Sequence, residues 1–83
     1  MKIRNNISFT TIEENTVLVN SITNEQIMLD EIGTEIWKLV LTMNNIEEII
    51  NFLQIKYLGF DEKISEDVTE FVNMLKDRGV LDV

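Results

Sequence analysis

The sequence contains no cysteine, no histidine and no proline. Without cysteine there are no disulfides, no thiolate nucleophile and no cysteine-ligated zinc. Without histidine the commonest general base and the commonest metal ligand are both missing. Without proline, and with only three isolated glycines, nothing marks an interdomain linker. Positive charge is also scarce: no lysine or arginine occurs between Arg4 and Lys38, and the net charge over 83 residues is −8. Binders of nucleic acid or of anionic membranes cluster basic side chains, so both partner classes are disfavoured. No apolar run approaches the ~20 residues that a spanning helix requires. The start, MKIRNNISFTT, turns polar before a signal-peptide core can develop, which points to a cytoplasmic protein.

What is present is enough apolar material, 45% of residues, for one compact domain over 1–83. A domain this small buries only about 60% of its unfolded surface and depends on a single core.

The first 30 residues carry strand signals. Ile7 and Phe9 alternate with polar neighbours, Thr16 to Val19 form a mostly β-branched run, and Ile27, Met28 and Leu29 make a third segment. Glu13-Glu14-Asn15 and Thr23-Asn24-Glu25 are the intervening turns, so an antiparallel meander is expected.

From Asp30 the periodicity becomes helical. Asp30 caps a first helix whose apolar face is read as Ile32, Ile36, Leu39 and Val40, with Gly33 packed closely on the sheet. Asn45 with Glu48 resembles a capping box opening a second helix, with Ile46, Ile49, Ile50, Leu53 and Tyr57 on its apolar face and Gly59 as its stop. A third helix is expected over about 63–78, on Ile64, Val68, Phe71, Val72 and Leu75, ended by Gly79, with Val80 and Leu81 folding back on the core. The order β-β-β-α-α-α is an α+β class.

Candidate chemistry is thin. Acidic pairs recur at Glu13-Glu14, Asp30-Glu31, Glu47-Glu48, Asp61-Glu62 and Glu66-Asp67, but three lie at helix starts, where negative charge is stabilising anyway. Ser8, Ser21 and Ser65 have no histidine to activate them and no Ser-x-x-Lys spacing. No glycine-rich phosphate loop occurs. Trp37, Tyr57 and the four phenylalanines read as core rather than as a base-stacking platform, because no basic residues interleave them. The chain is therefore expected to be non-catalytic, with no cofactor and no metal. The third strand, Glu25 to Leu29, has neither lysine nor proline to blunt an exposed edge, so an extended peptide can add to it. Covering of that edge by the N-terminus or by a second copy is the alternative.

The run Met28-Leu29-Asp30-Glu31-Ile32-Gly33-Thr34-Glu35-Ile36-Trp37-Lys38-Leu39 resembles the PqqD family pattern, in which an apolar residue precedes Leu-Asn-Glu-x-Gly-x-x-Ile-Trp-x-Leu. Asp30 stands where the family prefers asparagine. Ile46-Glu47-Glu48-Ile49 with Leu53 and Tyr57, then Asp67-Val68, Phe71-Val72, Leu75 and Gly79-Val80-Leu81, continue the likeness over about residues 15–83. The resemblance implies a winged-helix-like fold, a three-stranded antiparallel sheet followed by three helices. It also implies a RiPP recognition element, a module that binds the leader segment of a ribosomally made precursor peptide as an added strand.

Carried onto this sequence, the implied strand side is Gln26, Ile27, Met28 and Leu29, and the helix side is Asp67, Glu70, Phe71, Met74 and Arg78. The helix-side residues share one face, rotated from the Val68, Val72 and Leu75 stripe. The implied partners are a precursor leader peptide and either a radical modifying enzyme, as for PqqD proper, or a leader peptidase, as in lasso-peptide pathways. The second is marginally favoured, and a monomer or weak homodimer is expected. Two readings from other classes compete. One is a winged-helix transcription regulator, which the acidic third helix opposes; the other is a structural subunit that oligomerises through its strands.

Overall fold

A computed structural model describes residues 1–43 and 45–82. Its elements are β1 (Lys2–Ile3), β2 (Ile7–Ile12), β3 (Asn15–Asn20), β4 (Glu25–Leu29), α1 (Glu31–Thr42), α2 (Ile46–Lys56), α3 (Asp61–Asp77) and β5 (Leu81–Asp82). The antiparallel meander has the order β2-β3-β4, with Phe9 opposite Leu18 and Leu18 opposite Ile27. The α+β architecture of three strands followed by three helices is the expected one.

Strand alternation decides the faces. Thr16, Leu18 and Asn20 of β3 and Ile27 and Leu29 of β4 are buried, while Gln26 and Met28 point to the open face. Against the buried face lie Ile36, Trp37 and Val40 of α1, Ile49 and Leu53 of α2, and Val68, Val72 and Leu75 of α3. Each such large side chain contributes about 1.5–3 kcal/mol by leaving water. A buried hydroxyl chain ties α1 to the sheet: Thr34 Oγ1 bonds Thr16 Oγ1 at 3.0 Å, and Thr16 Oγ1 lies 2.9 Å from Thr11 Oγ1.

The caps match the sequence reading. Asp30 Oδ1 accepts from the Gly33 amide at 2.8 Å, and Asn45 Oδ1 accepts from the Glu48 amide at 2.8 Å. Acidic residues occupy the first turn of all three helices.

Three expectations need correction, and one feature lies outside them. α3 starts at Asp61, two residues before Lys63, and Phe60 precedes it without a side-chain cap. Ile32 is 62% exposed, on the side of α1 away from the buried stripe; Trp37, fully buried, takes its place there. The aromatics do not all fill the core: Phe9, Phe52, Tyr57 and Phe60 are exposed, and Phe9 meets Trp37 edge-on with centroids 5.4 Å apart. Finally, a second small sheet pairs β1 with β5, Ile3 opposite Leu81, and Arg4 Nε bonds Asp82 Oδ1 at 2.8 Å. Val80 and Leu81 do return to the core, both buried.

Candidate peptide-binding groove

The sheet has two outer strands, β2 and β4, and neither carries lysine or proline. They differ in what stands beside them. All but the first residue of β2 is exposed, so a guest strand there would gain little burial. β4 has a helical wall. At its beginning, Arg78 Nε donates to Glu25 Oε1 at 2.7 Å, fastening the end of α3 to the start of the strand. At its end, the Phe71 ring of α3 comes up to Gly33, and a β-carbon built on Gly33 would lie 3.3 Å from Phe71 Cε1 and 3.3 Å from Leu29 Cβ. A side chain at position 33 would thus press on both neighbours, the close packing read from the sequence, with Phe71 as well as the sheet as the neighbour.

The strip between those two contacts is the candidate groove. Among the described residues, no strand pairs with the outer side of β4. Past the end of β4, between the start of α1 and α3, is a hollow of about 310 Å³ lined by Asp30, Ile32, Gly33, Ile36, Asp67, Glu70 and Phe71.

Each sequence-derived site residue has a definite place. Ile27 and Leu29 are buried at 6% and 5%, so their side chains belong to the core and only their main chain is offered to a partner. Met28 is 77% exposed, and Gln26 is exposed on the same face of the strand, opposite to Ile27 and Leu29. On α3, Phe71 and Met74 are half-buried and pack against the core from its flank, while Glu70 is exposed. Asp67 is partly buried and accepts from Lys63 Nζ at 3.0 Å, a contact that raises the lysine's pKa. Arg78 is held by Glu25 and closes one end of the groove.

The reading from sequence missed Ile32, Asp30 and Gly33 as groove residues. Ile32 had a readable signal, an apolar side chain in a first helical turn beside the strand's end. Asp30 and Gly33 were assigned only to capping and packing.

Comparison with known proteins then settles the lineage. The family model for coenzyme PQQ synthesis protein D (PqqD) matches residues 15–81. This chain belongs to the PqqD family. Among curated proteins, no sequence matches significantly. Among solved structures, this PqqD-family chain is similar to "TbiB1 in Complex with the TbiA(beta) Leader Peptide", with TM-score 0.88, 26% identity, and 99% of this chain and 95% of that one covered. It is also similar in fold to "Lasso peptide synthetase B1 complexed with the leader peptide", with TM-score 0.82, 22% identity, and 95% and 93% covered.

Proposed function

We propose that this PqqD-family chain is a non-catalytic recognition protein that binds the leader of a ribosomally made precursor peptide. The leader adds as a strand to β4, with α3 as the wall, and is thereby presented to a modifying or leader-cleaving enzyme. One observation carries this reading: β4 is an unblunted edge tied at its start to α3 by the Arg78–Glu25 bond, in a chain that superposes over nearly its whole length on a protein solved with a leader peptide.

Main-chain bonds to β4 supply affinity whatever the leader's sequence, and the side chains flanking the edge supply selectivity. A guest strand presents alternate residues to opposite faces. One set meets Phe71, Met74 and Asp67 on the core side, the other meets Gln26 and Met28 on the open side. Because the wall and strand are already fixed to each other by the Arg78–Glu25 bond, little ordering cost falls on the protein. The enzyme partner is proposed to be a leader peptidase of lasso type, and the chain to act as a monomer or weak dimer.

The exposed acids of α3, Glu62, Glu66, Glu70 and Asp77, set against Lys63, Lys76 and Arg78, oppose a phosphate backbone and argue against the regulator reading. Titration calorimetry with the leader encoded beside this chain's gene tests the proposal. Micromolar or tighter binding is expected; no heat with any neighbouring leader would overturn it.

A further inference from the structure

A second recess lies outside the strand groove. Between α1, the end of α2 and the start of α3 is a cleft of about 340 Å³, lined chiefly by Ile32, Ile36, Leu53, Tyr57, Phe60 and Ile64. Two of the apolar residues lining it, Ile32 and Phe60, are each 62% exposed, so the cleft offers apolar surface to solvent.

The cleft continues the groove. Ile32, Ile36 and Asp67 line both the cleft and the hollow at the end of β4. A chain leaving the strand past Leu29 therefore crosses Ile32 directly into the cleft.

Its wall is also fixed in advance. Tyr57 Oη donates to Glu35 Oε1 and Oε2, each at 2.9 Å, and Lys56 Nζ bonds the same carboxylate at 2.6 Å. The tyrosine ring is thus held without a ligand, so less freedom is lost when one enters. The passage from groove to cleft is rimmed by Asp30, Glu31, Asp67 and Glu70, and the one cation that lines it among the described residues, Lys63, is bound to Asp67.

We propose that this cleft is a second anchor site for the same precursor peptide, seating one bulky apolar side chain just beyond the strand-forming segment, with a basic residue beside it against the acidic rim. The inference rests on the leader-binding reading and adds to it a side-chain requirement outside the paired strand.

The test uses two synthetic peptides from the leader encoded beside this chain's gene, followed by fluorescence anisotropy. One is limited to about six residues, enough to pair with Glu25–Leu29. The other is longer by about six residues at each end, a reach of roughly 20 Å per side. The longer peptide is expected to bind on the order of tenfold tighter or more, the gain from burying one large apolar side chain. Phe60→Ser should erase that gain and leave the short peptide's affinity unchanged. Replacing the bulky apolar residue of the extension by aspartate should do the same on unaltered protein, independent of any folding effect. Equal affinity for the two peptides, or a gain that survives both changes, overturns the second anchor while leaving strand capture intact. Failure of both peptides to bind overturns leader recognition itself. A Phe60→Ser change that alters sedimentation but not peptide affinity makes the cleft a self-association face and also overturns the proposal.

Discussion

Arg78 Nε and Glu25 Oε1 sit 2.7 Å apart across the end of the groove, joining the residue that caps the C-terminus of α3 to the first residue of β4. The two side chains are 41% and 42% exposed, so solvent screens the pair and its direct worth is below about 1 kcal/mol. Its role is geometric: it sets the spacing between wall and edge. Arg78→Ala is expected to shift the urea midpoint only slightly while weakening leader binding measurably, and the charge swap with Glu25→Arg and Arg78→Glu should recover part of the binding. A double-mutant cycle on leader affinity checks this.

Gly33→Ala sets two effects against each other. Alanine favours a helix by about 1 kcal/mol over glycine. The new methyl would meet Leu29 Cβ and Phe71 Cε1 at 3.3 Å, closer than comfortable contact, and the phenylalanine ring is the softer neighbour. The expected outcome is near-neutral stability with a displaced Phe71 ring and weaker leader binding. Gly33→Val, with no such room, should lose about 1–3 kcal/mol by overpacking. Thermal melts and calorimetry on both variants separate the two.

The Thr34–Thr16 pair makes a prediction about satisfaction rather than strength. Both are buried, at 2% and 0% exposure, and their hydroxyls bond at 3.0 Å. Thr16→Val strands the Thr34 hydroxyl and should cost about 1–3 kcal/mol. Adding Thr34→Val removes the orphan, so the double variant should be more stable than Thr16→Val alone by urea unfolding.

Stability should also depend on pH through Glu35. Burial pushes its carboxyl up, but hydrogen bonds from Lys56 and Tyr57 together outweigh that and hold it below its ordinary 4.5. A carboxyl depressed in the folded state stabilises above its unfolded pKa and loses that contribution as pH falls through the folded value. Lys56 is raised above 10.5 by its hydrogen bond to Glu35, so its share is present below that pH and lost as pH rises through the folded value. Urea midpoints should therefore decline below about pH 4.5, and the Glu35→Gln protein should show a smaller decline.

The groove predictions are separable from folding. Met28 is 77% exposed, so Met28→Glu should melt like the parent protein and still bind leader poorly. Met74→Asp faces the opposite side of a guest strand and should weaken binding at least as much, with some loss of stability because Met74 packs on the core. Calorimetry beside circular dichroism melts distinguishes these outcomes.

Much of this was legible in the residues. Asp30 and Asn45 could be read as caps because short polar side chains before an apolar period satisfy free amides, and both do. The meander could be read because Ile7, Leu18 and Ile27 sit in runs separated by turn formers. The β1–β5 pair could not, since two residues are too few to show a period and their pairing joins the chain's far ends. Ile32 was misplaced because helical spacing identifies an apolar stripe without fixing which of its members the neighbouring elements cover. Phe9, Phe52 and Phe60 were misplaced for a related reason: aromatics usually fill cores, and exposure is a tertiary outcome. The groove's strand and helix could be named from the family resemblance, but the hollow joining them, with Asp30 and Gly33, needed coordinates.

Amide hydrogen exchange, measured with and without the leader peptide, bears most directly on strand addition. Alternate amides along Glu25–Leu29 should slow on binding, while those of Ile7–Ile12 on the opposite edge keep their free-state rates. Slowing confined to Ile7–Ile12, or saturating binding with no change along Glu25–Leu29, would contradict the account.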